Sequence, residues 1–149
     1  MVKNGGVNTH YWERKMPNKV PAKVADLLQK VGETPATALW DCHGTYVVYH
    51  KALEKIADHL QIKFDDPVVL ETDIKNKCVA IMVRGYQDKR TEWSIGEATP
   101  YNNKNGYPFA MAEKRAKDRV ILKLVGIAGD VYSSEEADDF KQSNPANRR

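Results

Sequence analysis

Three basic residues recur at helical spacing in the most basic stretch of the sequence. Arg115, Arg119 and Lys123 stand at i, i+4 and i+8, which places them in one row along a helix. Like charges at this spacing repel each other by roughly 0.2–0.5 kcal/mol per pair. An anionic partner lying along the row, such as a phosphate backbone, would explain why the cations stand together. The alternative is a solvated face of a helix whose other side packs into the core.

The row requires a helix over residues 107–126, and the sequence predicts one there. Pro108 suits the first turn, Gly126 can adopt the left-handed conformation that ends a helix, and strong helix formers lie between them. Ala112 and Ala116 flank the row, so a partner could approach it closely. The other charges can pair within the helix, as Glu113–Lys117 and Lys114–Asp118.

This helix follows a predicted antiparallel meander of three strands with short turns. The strands are expected over residues 68–72, 78–86 and 91–97, after a shorter strand over 45–49 and two helices over 18–31 and 50–62. In the second meander strand, Val79, Ile81 and Val83 alternate with the residues of the opposite face. The predicted fold class is α+β: an antiparallel sheet of three or slightly more strands packs against a long basic helix, with two preceding helices.

Further cations and two aromatic residues are expected near the row. Lys89 and Arg90 belong to the turn after the second strand, and Lys104 to the loop over residues 98–106. Tyr86 and Trp93 could stack on bases, worth roughly 1–3 kcal/mol per base. Core packing is the favoured alternative for Trp93. The predicted DNA-binding residues are Arg84, Lys89, Arg90, Lys104, Arg115, Arg119, Lys123, Tyr86 and Trp93.

Composition indicates a globular chain without a membrane span. The 149 residues carry a formal net charge of +3, with 42% hydrophobic and 29% charged residues. No apolar run approaches the roughly 18 residues of a membrane span, and the N-terminus has no apolar signal core. We expect a cytoplasmic protein with free Cys42 and Cys78 thiols. Residues 1–16 are predicted to be a flexible arm, 17–129 a single α+β domain, and 130–149 an acidic segment with a disordered end.

The residues give little support to an enzyme. No phosphate-binding loop of the GxxxxGK[ST] type is present, so we expect no ATPase, and the Cys and His residues lack metal-ligand spacing. No cofactor or metal is therefore predicted. The best enzymatic interpretation is a metal-dependent nuclease, whose carboxylates must converge on a divalent metal. Its residues would be Glu71, Asp73, Lys75 and Lys77, with Glu97 or Asp65; solvated charges at a hairpin tip are the favoured alternative.

The segment GEATPYNNKNGYPFAMAEKRAKDRVILKLVGIAGDVYSSEEADDF, residues 96–140, resembles a block found in phage and prophage proteins. The upstream segments HGTYVVYHKALEKIA and VAIMVRG resemble parts of the same family. An antiparallel sheet followed by a helix with Ala112, Arg115, Ala116 and Arg119 is similar to phage single-strand annealing proteins of the Sak and Erf kind. Those proteins in turn resemble the eukaryotic Rad-type annealing recombinase.

The resemblance implies a bacteriophage recombination protein of the bacterial cytoplasm. It would bind single-stranded DNA, assemble with itself into a ring or filament, and anneal complementary strands without ATP. The acidic segment could compete with DNA for the basic groove, or recruit a host single-strand-binding protein. The rival interpretation is a structural or interaction protein that uses the basic helix for subunit contacts, and a nuclease is the third.

Overall fold

The computed structural model describes residues 19–136. The predicted N-terminal arm, residues 1–16, and most of the acidic segment, residues 137–149, lie outside the described residues. Within the described range, no helix is long and apolar enough to cross a membrane. The helices are α1 (Ala22–Lys30), α2 (Pro35–Ala38), α3 (His50–His59) and α4 (Pro108–Leu124). The strands are β1 (Leu39–Cys42), β2 (Thr45–Val48), β3 (Lys63–Phe64), β4 (Val68–Asp73), β5 (Cys78–Gln87), β6 (Arg90–Ala98) and β7 (Val131–Ser133).

The larger sheet is built around β5. Strand β6 pairs antiparallel with β5 along its whole length, from Val79 opposite Ala98 to Gln87 opposite Arg90. Strands β3 and β4 also pair antiparallel with β5, on the side opposite β6. They lie end to end there, because β4 pairs with the first half of β5 and β3 with its last residues. The predicted antiparallel meander is confirmed. Because no strand within residues 19–136 pairs with the outer side of β4 or of β6, the sheet has two outer edges there.

Helix α4 covers one face of this sheet. Val79, Ile81 and Val83 are buried on that face, as their alternation predicts. The helix lies very close to β6, where a Cβ added to Gly96 would lie 2.1 Å from the Ala112 carbonyl oxygen. Only a residue without a side chain therefore fits at that point of the strand.

A second, smaller sheet was not predicted. It joins β1 and β2 as an antiparallel hairpin and adds β7 parallel to β2. The sequence predicts only β2. Strand β7 forms because the chain turns back after α4 at Gly126, whose φ of 77° is the predicted left-handed helix end. The predicted α+β class is confirmed, with mostly antiparallel sheets of three and four strands.

The remaining helix predictions differ from the structure mainly at their ends. Helix α1 starts at Ala22, because Pro21 precedes the first helical residue as its N-cap. Helix α3 ends at His59, three residues before the predicted end, and buries Leu53 and Ile56. The predicted connector over residues 33–38 contains α2, a single turn whose N-cap Thr34 exchanges side-chain hydrogen bonds with Thr37.

Candidate nucleic-acid interface

The basic row of α4 lies along the outer edge of β6. Each of its three side chains donates a hydrogen bond to a backbone carbonyl oxygen that points outward from this strand. The donor–acceptor pairs are Arg115–Glu97 at 2.9 Å, Arg119–Ile95, and Lys123–Trp93 at 2.8 Å. Within the described residues, the partners of this row are therefore three backbone carbonyls of β6.

The two spacings match. Residues four apart on a helix are separated by about 6 Å along its axis. Outward-pointing carbonyls recur at every second residue of an edge strand, or about 6.7 Å. Three cations at i, i+4 and i+8 can therefore each reach one of three successive outward carbonyls of β6. Hydrogen bonds to these carbonyl oxygens offset the repulsion between the cations.

Arg115 is buried, with 1% of its surface exposed. Besides Glu97, its guanidinium donates to the side-chain and backbone oxygens of Asn102, at 3.0 and 2.6 Å, and to the backbone of Glu135. These acceptors satisfy most of the donors that an arginine carries. The prediction of an open row of cations is therefore wrong at Arg115, because the flanking Ala112 and Ala116 pack that face of α4 against β6.

Arg119 is paired with the acidic segment. Its Nε lies 2.8 Å from Oε2 of Glu136, and its Nη2 lies 2.5 Å from Oε1 of the same carboxylate. This hydrogen bonding holds the pKa of Arg119 above its ordinary value. Nearby, Lys114 lies 3.8 Å from Glu135. The described start of the acidic segment thus occupies the basic face of α4, the position in which we expected it to compete with DNA.

The aromatic residues lie on the sheet face turned away from α4. Trp93 is 49% exposed, so the favoured prediction of core packing is wrong. The reason is strand parity: Ser94 and Gly96 face α4, and Trp93 therefore points the other way. Arg84 stands opposite Trp93 in the sheet, and the Lys123 ammonium lies 5.7 Å from the Trp93 ring centroid.

The other predicted site residues are dispersed. Tyr86 is half-buried, and its hydroxyl donates to Asp65 at 2.7 Å. Arg90 donates to the backbone carbonyls of Lys123 and Leu124, so it caps the C-terminal end of α4. Lys89 is exposed in the β5–β6 turn, whereas Lys104 is exposed in the distant loop before α4. Arg90 lies at the C-terminal end of α4 and Lys104 in the loop before its N-terminal end, so the length of the helix separates these two cations.

A different groove, lined by five lysines and four carboxylates, lies between α3 and α4. It has a volume of about 1060 Å³, and the sequence did not predict it. Phe64 of β3 forms part of its wall, with the Lys117 ammonium 5.5 Å from the ring centroid. Its lysines are Lys51, Lys55, Lys63, Lys114 and Lys117, and its carboxylates are Glu54, Asp58, Glu113 and Asp118.

Two of the groove lysines, Lys55 and Lys117, are held by surface ion pairs, whereas Lys114 pairs with the buried Glu135. Lys55 pairs with Glu33 at 2.8 Å, and Lys117 pairs with Glu113 at 2.9 Å, as predicted. Lys51 and Lys63 are exposed and form no ion pair within residues 19–136. The i, i+4 spacing of Lys51 and Lys55 is a signal that could have pointed to this surface. The sequence gives no signal that brings α3 beside α4.

A polar cluster built on the buried Asp118 lies where His50 and Asp118 line the groove. The Asp118 carboxylate lies 2.7 Å from Nδ1 of His50 and accepts a hydrogen bond from Ser133 at 2.5 Å. The predicted Lys114–Asp118 pair is therefore not formed. Burial raises the pKa of Asp118. Burial also opposes protonation of His50, but the Asp118 hydrogen bond and charge outweigh it and raise the His50 pKa. The pair therefore retains a proton at higher pH than the isolated groups would.

The hairpin carboxylates do not form a recognisable metal centre. Asp73 accepts two hydrogen bonds from Asn76 across the turn, at 2.7 and 3.1 Å, and these bonds lower its pKa. Glu71 lies on the same strand and is exposed. Within residues 19–136, no group of three His, Cys, Asp or Glu side chains could hold a metal ion.

Comparisons with protein-family models, curated proteins and solved structures found no match to this chain. They therefore identify no family for this chain and no solved structure with the same fold. The surfaces on which a function can be proposed are the lysine groove between α3 and α4 and the sheet face that carries Trp93.

Proposed function

We propose that this chain binds single-stranded DNA and promotes annealing of complementary strands without ATP, working as an oligomer in phage-type recombination in the bacterial cytoplasm. The observation that carries the proposal is the convergence of five lysines on the groove between α3 and α4. This groove takes the place of the α4 row as the proposed backbone-binding surface.

The chemistry of the groove suits a phosphate backbone. An annealing protein has to hold the backbone and leave base edges free to pair, so it needs cations rather than base-reading side chains. Lysine provides a flexible point charge that can follow a mobile single strand. The ion pairs of Lys55 and Lys117 are exposed or half-buried, a class of pair worth about 0–1 kcal/mol. A phosphate can therefore replace the carboxylate at little cost.

The face that carries Trp93 supports the same function. An exposed aromatic ring beside cations is a platform on which bases stack, and stacking tolerates any sequence. Trp93 has this environment, with Arg84 opposite it in the sheet and Lys123 at its ring. Bases of a bound strand would stack on Trp93, with Arg84 and Lys123 as the nearby cations. Because this face is turned away from α4, it would be a second contact surface, separate from the lysine groove.

Fluorescence anisotropy of a labelled oligonucleotide across a salt series tests the groove. The test variant is Lys51→Gln with Lys63→Gln and Lys117→Gln, which removes three groove cations. We expect weaker binding, and a salt slope reduced by about 0.7 for each phosphate that the variant no longer neutralises. The matched control removes the same charge elsewhere, by Lys19→Gln with Lys23→Gln and Lys30→Gln, which are exposed and lie outside the groove. Equal effects of the two variants would reject the groove, and the absence of binding at low salt would reject the function.

A second candidate is a non-enzymatic interaction protein. It is favoured by the apolar residues exposed on β4, namely Val68, Val69 and Leu70. In that case the chain would bind a protein partner without DNA and without the salt slope. A nuclease is the weakest proposal, and divalent-metal-dependent cleavage of an oligonucleotide would be its test.

A further inference from the structure

Strand β4 presents an apolar outer edge. Val68, Val69 and Leu70 are consecutive and each about half exposed, at 48%, 49% and 50%. Ile74, in the turn that follows, is 64% exposed. Within residues 19–136, no strand pairs with the outer side of β4. A strand of this kind carries unpaired backbone groups as well as exposed apolar side chains, and it is a template for pairing with another chain.

The other edge of the same sheet is closed to such pairing. The outward carbonyls of Trp93, Ile95 and Glu97 in β6 already accept hydrogen bonds from the α4 row. A second copy therefore cannot add its β4 to β6 without displacing those donors. Head-to-tail addition of copies through this sheet is therefore disfavoured, and within the described part of the larger sheet the edge left for pairing with a second copy is β4 itself.

We infer that two copies of this chain associate by antiparallel pairing of their β4 strands about a two-fold axis. The charges that flank the strand favour this direction. Asp65 and Asp66 precede β4, whereas Lys75 and Lys77 follow it. Antiparallel pairing brings the acidic end of one copy to the basic end of the other, whereas parallel pairing would bring like charges together.

Strand β4 is not regular along its length. It contains a β-bulge between Val69 and Glu71, so its pairing with β5 shifts by one residue at Leu70. Counting residues from one position therefore does not set the register of two paired β4 strands. The flanking charges lie outside the strand, which ends at Asp73, and they bear on the direction of pairing rather than on its register. The pairing joins the two larger sheets into one.

The mass in solution, measured by light scattering without DNA, tests the association. We expect the wild-type chain to have twice the 16.9 kDa of one chain. Leu70→Lys places a charge in the exposed apolar run of both paired strands and should shift the mass to that of the monomer. Tyr101→Lys is the matched control, because Tyr101 is 99% exposed and lies outside β4. Far-UV circular dichroism should show both variants folded, since both sites are open to solvent.

Exchanging the charges at the two ends of β4 tests the antiparallel direction of pairing, and the result does not depend on destabilising the fold. Asp66→Lys or Lys75→Asp alone should raise the dissociation constant of the dimer about tenfold, because symmetry repeats each repulsion. The double variant should restore association. A monomeric wild type, a larger assembly that survives Leu70→Lys, or a double variant no better than the singles would overturn the inference. The dimer is measured without DNA, so its failure would remove the oligomer from the proposed function, whereas salt-dependent DNA binding by the lysine groove would still be decided by its own anisotropy test.

Discussion

The two outer edges of the larger sheet differ in what covers them. Along β6, the cations Arg115, Arg119 and Lys123 bind the outward carbonyls. Along β4, the described residues provide no such cover, and apolar side chains are half exposed. One sheet therefore has an edge that its own helix closes and an edge that remains available. The difference shows that a row of cations on a helix can stabilise the fold, by donating hydrogen bonds to the edge of a sheet, without binding a ligand.

Closing β6 in this way requires α4 to lie close to the strand. The buried Ala112 and Ala116 and the glycine at position 96 allow that approach. Strand β4 lies on the far side of β5, beyond the reach of the same helix face. Its first three residues, Val68, Val69 and Leu70, are apolar and exposed, whereas its carboxylates Glu71 and Asp73 follow this run.

Arg115→Ala should have the largest effect on stability. The substitution leaves the buried carbonyl of Glu135 and the partly buried carbonyls of Glu97 and Asn102 without this donor. We expect a loss of about 3–5 kcal/mol in the free energy of unfolding, measured by urea denaturation. Lys89→Ala, at an exposed turn, should change stability by no more than about 0.5 kcal/mol. If the two variants unfolded at the same urea concentration, the closed-edge description would be wrong.

The Arg115 result also bears on DNA binding. If the row were exposed, the double variant Arg115→Ala with Arg119→Ala would bind single-stranded DNA more weakly and would remain folded. The buried position of Arg115 predicts instead that the double variant is destabilised. Weaker binding by that variant would not by itself assign a phosphate contact to either arginine.

Gly96→Ala should have an intermediate effect. Its new methyl group would lie 2.1 Å from the Ala112 carbonyl and 2.5 Å from the Ala116 nitrogen, so α4 would have to move away from β6. Overpacking of this kind costs about 1–3 kcal/mol, which thermal or urea unfolding can resolve. Gly106→Ala is the control, since nothing lies within 4 Å of its added Cβ. Equal melting temperatures for the two variants would contradict the close approach.

The sequence predicted the features that depend on local pattern. The alternation of Val79, Ile81 and Val83 identified β5 and its buried face, and Pro108 and Gly126 bounded α4 to within two residues. The alanines beside the row correctly indicated a closely approaching partner. That partner is β6 rather than DNA, because the helix pattern alone does not distinguish a carbonyl edge from a phosphate backbone.

The features that the sequence missed depend on long-range contacts. Strand β7 has three residues and pairs in parallel with β2 from far along the chain. The lysine groove exists only because α3, β3 and α4 meet, and the spacing of lysines within each element does not predict that meeting. The exposure of Trp93 followed from the parity of β6, which the sequence alone left ambiguous.

Lys123→Met should have the smallest effect on stability and sharpens the comparison most. Lys123 is exposed, so water can replace it at the Trp93 carbonyl, and the loss should be about 0.5–1 kcal/mol. If the row serves only to close the edge, stability losses should fall along it from Arg115 to Lys123, and single-strand binding should be unchanged by the Lys123 substitution. If Lys123, at the exposed end of the row, also contributes to base stacking on Trp93, the Lys123→Met variant should bind single-stranded DNA more weakly although its stability hardly changes. Urea unfolding and fluorescence anisotropy on the same variant separate the two outcomes, because closure acts on the folded state and stacking on the complex.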